Sequence, residues 1–444
     1  MATIFDMYKA VQTEADQTPE VCPGHATQQG TAEYAASRVT AGTACPEHFR
    51  QLVLPDGETL TLSSLAMSIP RERYQEGGHT EACAIEAARA AWNVLDTSPS
   101  QSWNEELSGG EVLAALREEH GITREQVFVI AKAGYPSAIL QQLLAGDFKI
   151  RPSDLERGCH CLHPEYLSAS LYATLAHLRL RTVDALLLEN VAEEQLPAIG
   201  QSQLTQRLRA AFTALEDLRA QGLLRWYGLS SNFGLWTDEG DRSFRDGLSL
   251  RHAVSIAQQV GGPAHGLRFV EVPVHAAQTA LWHPAVTADE SDDDSGGPYS
   301  EPLGKVAEEL GVHIIGRDCQ ASNVLLLSNR LVTALESVAG QDSPISDPEA
   351  HLAQIARSSP YVACTLIEQH QSSNPEATLA LSTLPPDPNF QESYTKLLDS
   401  FGQGHERING PAQPFSLVQL RLRDESLVLD GSYELEAGPF KACH

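Results

Sequence analysis

The feature that most constrains the fold is a regular alternation of helical patterns with short apolar runs. Eight runs have the length and composition of buried β-strands: residues 62–67, 92–96, 127–132, 183–189, 224–230, 267–274, 312–316 and 361–367. A helical pattern precedes each run after the first, at residues 80–91, 110–120, 166–180, 204–221, 248–260, 301–310 and 348–357. Repeated βα units joined by right-handed crossovers form a closed parallel barrel or a long doubly wound sheet. Eight units favour the first, so the sequence predicts an α/β fold of the (β/α)8 TIM barrel type.

The chain is longer than the predicted barrel needs. Of its 444 residues, we assign 49–386 to the barrel domain, 1–48 to an N-terminal extension with a short helix at 4–11, and 387–444 to a C-terminal extension. A hairpin at 49–54 and 60–65 opens the barrel domain, with Pro55-Asp56-Gly57 as its turn. The C-terminal extension combines a helix at 391–401 with alternating strands at 415–422 and 426–435. A lone hairpin is marginally stable, so this one must pack on the barrel or on a partner.

The net charge excludes some classes of partner. At −27, the chain repels phosphate backbones and anionic membranes, so direct nucleic-acid binding is not expected. No apolar run approaches the ~20 residues that a membrane-spanning helix needs. The acidic run 289–294 lacks the glycine turn of a calcium loop and is interpreted as a solvated loop.

The cysteines point to a reducing compartment. Eight are scattered along the chain without a CxxC pair, which fits the cytosol or an organelle matrix, the mitochondrial one included. Cys159-His160-Cys161, with His163 nearby, has the residue types of a metal site. It lacks a second ligand pair, and we predict no metal there.

Lys132 carries a charge where a buried strand should have none. It follows the apolar residues 128–131, and an ammonium group at such a strand end is costly unless a carboxylate or ligand meets it. The other strand ends are polar too, at Asp96, Glu189, 230–232, 271–275, 316–317 and Glu368. Asp96 and Glu189 are the predicted counter-charges of Lys132. The alternative to a functional site is a buried ion pair that closes the barrel mouth.

The strand ends also resemble those of aldo-keto reductases. Asn93–Thr97, Val129–Lys132 and the segment Gln221–Asn232 are similar to three strand segments of that family. Residues 158–161, 164–167 and 358–362 are similar to a bacterial-type branch, and the resemblance extends from about residue 49 to 386. It implies carbonyl reduction by hydride from NADPH, with a tyrosine proton donor tuned by an aspartate and a lysine, and a histidine that orients the substrate.

Only half of that tetrad has a match. Asp96 and Lys132 match the aspartate and the lysine, whereas Gln101 stands at the tyrosine position and Glu189 at the histidine position. Shifting the alignment within the loop offers Trp103, which cannot act as a phenol does. A lysine between two carboxylates loses the positive charge that would stabilise a developing alkoxide.

The cofactor site that the resemblance implies also lacks some of the expected residues. Ser231 and Asn232 match residues that hold the nicotinamide amide, and Arg317 could reach a phosphate. However, Glu368 stands at a glycine-like position, and residues 367–376 contain no Lys or Arg. We therefore expect no cofactor, or NADP if any.

Three functional hypotheses follow. The first is an aldo-keto reductase-like pseudoenzyme that serves as a structural or regulatory subunit, contacting other protein subunits through its two extensions. The second is an active NADPH-dependent oxidoreductase with an altered acid, such as protonated Glu189. The third is a binding module that uses the same pocket for another small molecule.

Overall fold

The chain forms a closed barrel of parallel strands surrounded by helices, as predicted. The computed structural model describes residues 21–69, 79–97, 104–136, 154–156, 158–232, 235–236, 247–274, 301–317, 319, 345, 347–367, 374–390 and 392–393. Its strands are β1 (Phe49–Val53), β2 (Thr59–Ser63), β3 (Leu65–Ser68), β4 (Val94–Asp96), β5 (Phe128–Ala133), β6 (Leu155–Glu156), β7 (His160–Cys161), β8 (Val183–Glu189), β9 (Leu224–Ser230), β10 (Leu235–Trp236), β11 (Leu248–Ser249), β12 (Leu267–Pro273), β13 (His313–Arg317) and β14 (Val362–Ile367).

Eight of these strands close the barrel in the order β3, β4, β5, β8, β9, β12, β13, β14. The last pairs with the first in parallel, since Thr365 is in register with Leu65. The opening strand starts later than the predicted 62–67, because Leu62 belongs to the hairpin β1–β2 that precedes it. The predicted bounds of β8 and β9 are those observed.

Helices connect the barrel strands on the outside. They are α1 (Gln28–Thr40), α2 (His79–Arg89), α3 (Asn104–His120), α4 (Pro164–Leu178), α5 (Val191–Ala220), α6 (Leu250–Gly261), α7 (Leu303–Glu309), α8 (Pro348–Ser358) and α9 (Pro375–Ala380). Segment α5 comprises two helices that meet at Gly200, whose φ of 71° is not helical; the second corresponds to the predicted 204–221, and the first was not predicted. Their apolar faces and the outward faces of the strands share one large buried cluster.

A second buried cluster fills the barrel interior. The hairpin β1–β2 contributes four leucines to it, Leu52, Leu54, Leu60 and Leu62, where they meet Val94 and Phe128 at the starts of β4 and β5. These contacts place the hairpin at the N-terminal end of the barrel, which it plugs. The opposite, C-terminal end is left for polar groups.

Residues 21–48, predicted as part of an extension, pack on the barrel. They contain helix α1, which the sequence pattern did not indicate, and Tyr34 on this helix is fully buried. Just before α1, the backbone N–H of Ala26 donates to Asp184 Oδ1 at 2.8 Å. Asp184 also forms a buried ion pair with Arg124 at 2.6 Å, so this segment is tied to a charge at the barrel floor.

The predicted N-terminal helix, the C-terminal hairpin and most of the C-terminal helix lie outside the described residues. Within the ranges that are described, no helix combines the length and apolar character that a membrane crossing requires.

Candidate functional site at the barrel mouth

A layer of polar side chains covers the apolar interior at the C-terminal ends of the strands. Side chains two residues apart on a strand share a face, so each interior residue is followed by another that points inward. The interior residues Val94, Ile130, Leu187, Phe269 and Ile315 are followed in this way by Asp96, Lys132, Glu189, Glu271 and Arg317. The alternation that builds the core therefore also gathers these five charged side chains at one end.

Lys132 forms ion pairs with two carboxylates in this layer. Its Nζ lies 2.9 Å from Glu271 Oε1 and 3.2 Å from Asp96 Oδ2, and all three side chains are buried. The contact with Asp96 agrees with the sequence prediction. The other ion pair is with Glu271 on β12, which the sequence analysis did not pair with Lys132.

Glu189 lies in the same layer and is buried, and its charge adds to those of Asp96 and Glu271 at Lys132. Sequence order could not identify Glu271 as a partner of Lys132. Strand β12 lies across the barrel from β5, and the two strands meet only through the interior. One signal was available: Glu271 interrupts an apolar run, as Lys132 does in its own strand.

The pKa values of the two carboxyl groups that pair with Lys132 shift in opposite directions. Burial and the charge of Glu271 outweigh the attraction of Lys132 and raise the pKa of Asp96 to about 6. At Glu271, burial acts in the same direction, but Lys132 and Arg317 together outweigh it and lower the pKa. At Lys132, burial is outweighed by Asp96, Glu271 and Glu189, which raise the pKa of the ammonium group. The surroundings therefore favour the ionised form more at Glu271 than at Asp96, although both carboxylates contact the same lysine.

Arg317 and Asn232 contact each other and other groups of the protein. Arg317 Nη1 lies 3.6 Å from Glu271 Oε1, and Nη2 donates to the side-chain oxygen of Asn232. Asn232 in turn donates its backbone N–H to Glu193 Oε1 at 2.7 Å and its Nδ2 group to Asn190 Oδ1 at 3.2 Å. These two candidate cofactor residues thus have protein partners on the polar groups that a nucleotide would use.

Ser231, the third candidate cofactor residue, donates its hydroxyl to the same Glu193 oxygen at 2.7 Å. This carboxylate is close to the start of α5 and bridges two consecutive residues after β9. The bridge fixes the turn that leaves the strand.

Tyr135 is a site residue that the sequence reading missed. Its hydroxyl accepts from Asn190 Nδ2 at 2.9 Å and donates to Glu194 Oε1 at 3.1 Å. Burial, to which the charge of Glu194 adds, raises the pKa of this phenol. It is therefore a weaker acid than an ordinary tyrosine. Its place just after β5 was the available signal.

The Cys-His-Cys segment supports the mouth from outside. His160 Nε2 bonds the carbonyl oxygen of Glu189 at 2.8 Å, and Gln195 Nε2 bonds His160 Nδ1 at the same distance. Burial lowers the pKa of His160 to about 4, so the ring is neutral at pH 7. Among the described residues, no group of three or more His, Cys, Asp or Glu side chains is placed to hold a metal ion. The seven described cysteines are free thiols.

Two residues that carry part of the sequence prediction are not described. Gln101, at the position expected for the tyrosine, and Glu368, at the glycine-like position after β14, both lie outside the described residues. The same holds for Trp103 and His275. Their contributions rest on residue type alone.

No protein-family model and no curated protein matches the sequence. Among solved structures, the chain is similar to a protein provisionally named 2,5-diketo-D-gluconic acid reductase B, with 15% identity and a TM-score of 0.46 over 76% of this chain and 88% of that one. It is also similar to an aldo-keto reductase from Bacillus halodurans in its holo form, with 15% identity and a TM-score of 0.47 over 79% of this chain and 96% of that one. The functional assignment therefore rests on this chain's own residues.

Proposed function

We propose that this protein is an aldo-keto reductase-like barrel that has lost reductase chemistry and serves as a structural or regulatory subunit of a larger assembly. The observation that carries the proposal is the position of Lys132 between Asp96 and Glu271, at 3.2 and 2.9 Å. In the family that the strand ends resemble, this lysine acts on a tyrosine. Here the tyrosine position is Gln101.

The charge balance argues against carbonyl reduction. Hydride transfer to a carbonyl places negative charge on its oxygen, and catalysis needs a preorganised donor or cation at that oxygen. Among the residues that the structure describes at the strand ends, the mouth holds two cations, Lys132 and Arg317, and three acidic groups, Asp96, Glu189 and Glu271. Glu271 contacts both cations, so neither presents an uncompensated positive charge to a substrate.

The predicted cofactor residues support the same conclusion. A nicotinamide amide or a phosphate would have to displace the bonds that Asn232 makes with Arg317, Glu193 and Asn190. These bonds are part-buried, and each one displaced costs about 0.5–1.5 kcal/mol unless the ligand replaces it. We accordingly assign no cofactor to this protein, with NADP as the one to test.

The subunit role is supported by the ends of the chain. Of the large apolar side chains in the described ranges, Val53 is the exposed one, with 65% of its surface accessible. Stable interfaces usually bury apolar side chains at their centre. The described surface thus offers little for such a centre, and the sequence predicts a C-terminal hairpin in need of a surface, which we propose contacts other subunits.

The test is NADPH-dependent reduction across a broad aldehyde panel, with wild type and Lys132→Met side by side. We expect no turnover above the protein-free rate, and no shift in melting temperature with millimolar NADPH. The size of the native protein purified from its source, measured by light scattering, should exceed that of one chain. Turnover that Lys132→Met abolishes would overturn the loss of reductase chemistry.

One observation favours the second hypothesis, an active oxidoreductase with an altered acid. The pKa of Asp96 is raised to about 6, mainly by burial, so its carboxyl group titrates close to neutrality. A carboxylic acid of this kind can donate a proton near pH 6. In that case turnover would decline as the pH rises through about 6, and Asp96→Asn would abolish it. A pH–rate profile of both proteins separates the two functions.

A further inference from the structure

Two hydrogen-bond donors and a guanidinium group converge on one oxygen of Glu271. Its Oε1 accepts from Lys132 Nζ at 2.9 Å and from Ser230 Oγ at 3.0 Å, and it lies 3.6 Å from Arg317 Nη1. The side chain is completely buried. An ammonium, a guanidinium and a hydroxyl group around one carboxylate oxygen are the contacts with which proteins bind carboxylate ligands.

The barrel positions these donors independently of Glu271. Lys132 is on β5, Ser230 on β9 and Arg317 on β13, whereas Glu271 is on β12. Strand pairing holds Ser230 beside Glu271 and Arg317 beside Pro273. Because these groups are carried by three separate strands, we expect their arrangement to persist when the carboxylate they surround is removed.

We propose that the barrel mouth is a binding site for a small monocarboxylate, and that the chain's own Glu271 occupies it as an internal anion. This deepens the proposed function and rests on it in one respect, namely that groups of the protein fill the mouth. The ligand class follows from the donors, which are two cations and a hydroxyl group around a single oxygen.

The test is replacement of the internal anion by an external one. Glu271→Ala removes a CH2–COO⁻ unit, which has the same heavy atoms as acetate. We expect this variant to melt below wild type and acetate to raise its melting temperature. At acetate concentrations about ten times the dissociation constant, binding to the folded state raises the melting temperature by roughly 1–2 °C. Acetamide has the same shape without the charge and should have no such effect.

Two further variants serve as matched controls. Glu271→Gln keeps the volume of the side chain, so it leaves no room for acetate and should not respond. Glu271→Ala combined with Lys132→Met removes the main donor and should lose the response as well. Wild type corrects for the general effect of acetate as a salt.

The outcomes are distinct. An acetate response confined to Glu271→Ala supports the proposal. Equal effects of acetate and acetamide, no effect of either, or a Glu271→Ala variant as stable as wild type would overturn it. If this variant does not fold alone, refolding yields in acetate and in acetamide are compared, and equal yields count against the proposal. No cofactor or turnover enters the measurement, so a reductase activity found separately would refute the proposed function without affecting this result.

Discussion

Lys132, the central residue of the mouth, is a buried cation. The free-energy cost of removing its charge from water is offset by carboxylates inside the barrel. Removing charges from water is expensive, and a buried ion pair is often no better than a packed apolar pair. Breaking such a pair is different, because the remaining charge stays buried without compensation. Lys132 compensates Asp96 and Glu271 together. Among the described residues, its loss leaves the two carboxylates with Arg317 and hydroxyl groups as their remaining polar contacts.

Lys132→Met should therefore destabilise the protein strongly. We expect a loss of about 3–5 kcal/mol in the free energy of unfolding, measured by denaturant titration at neutral pH. The control is Lys305→Met, since the Lys305 side chain is 51% exposed and pairs with Glu301 on the surface. That change should have little effect on the free energy of unfolding, because exposed ion pairs contribute little to stability. Equal effects of the two substitutions would show that Lys132 is not the balancing charge of the mouth.

Asp96 should make stability depend on pH. Its folded-state pKa of about 6 lies above the ordinary value of about 3.9. Between these values the folded state holds the proton more tightly than the unfolded chain, so stability from this group falls as the pH rises from about 4 to about 6 and is constant above. Asp96→Asn removes the titration, and the difference in unfolding free energy between wild type and Asp96→Asn should change across this window.

The control for Asp96 is Glu271→Gln, for which the sign is opposite. The folded pKa of Glu271 is lowered, so its stabilising contribution is present above its ordinary value of about 4.3 and is lost as the pH falls through the folded pKa. A difference between wild type and Asp96→Asn that stays flat from about pH 4 to pH 7 would contradict the raised pKa of Asp96.

At the same scale, the sequence identified a residue more readily than its partners. Lys132 and Asp96 stood out because a charge at the end of an apolar strand is unusual. Glu271 has the same signature, but its pairing with Lys132 depends on which strands face each other across the closed barrel. The contact between Arg317 and Asn232 likewise joins residues far apart in the chain. Such pairings are properties of the closed fold rather than of any local pattern.

At the scale of elements, prediction succeeded where an apolar run has clear ends. Strands β8 and β9 are bounded by polar residues and turns, and their predicted limits are those observed. The predicted helix 204–221 corresponds to the part of α5 that follows the break at Gly200, whereas the part before it, which contains Pro197, was not predicted. Helix α1 was missed because its buried face is made of small and polar residues, Gly30, Thr31 and Ala35, together with Tyr34.

That small face makes Gly30 a test of helix α1. A Cβ atom at Gly30 would lie 2.3 Å from the backbone oxygen of Glu125, so Gly30→Ala requires the helix to move away from the barrel. We expect a net loss of about 1–3 kcal/mol from overpacking, although alanine is intrinsically better in a helix by about 1 kcal/mol. Thermal unfolding of the purified variant measures it.

The exposed Ala32 on the same helix provides the matched control. Ala32→Gly should cost about 1 kcal/mol through propensity alone. If Gly30→Ala stabilised the protein by a similar amount, helix α1 would not be in close contact with the turn at Glu125.

For the whole molecule, repetition in the sequence was sufficient to predict the architecture. Eight βα units have few ways to bury every strand on both faces, and the closed parallel barrel is the compact one. Repetition does not fix how the ends of the chain are used. The hairpin β1–β2 and the segment from residue 21 close the barrel floor through long-range contacts, such as that of Ala26 with Asp184.

The net charge of −27 predicts how the whole molecule should respond to salt. Excess charge of one sign destabilises a compact state by self-repulsion, and at about 0.1 M salt the screening length falls to ~10 Å. Raising sodium chloride from about 0.02 to 0.5 M should therefore raise the melting temperature. Surface pairs such as Arg251 with Glu301 weaken at the same time, but exposed ion pairs of this kind contribute little to stability.

Salt should screen the charge interactions in the barrel mouth much less than those on the surface. Lys132, Asp96 and Glu271 are buried, so their interactions are screened far less than those between surface charges. We expect wild type and Lys132→Met to gain stability in parallel, with the difference between them constant within about 0.5 kcal/mol over the same salt range. Denaturant titrations of both proteins at low and high salt measure this difference. A difference that shrinks with salt would mean that solvent ions reach Lys132, and the mouth would then be open to ligands rather than closed by its own carboxylates.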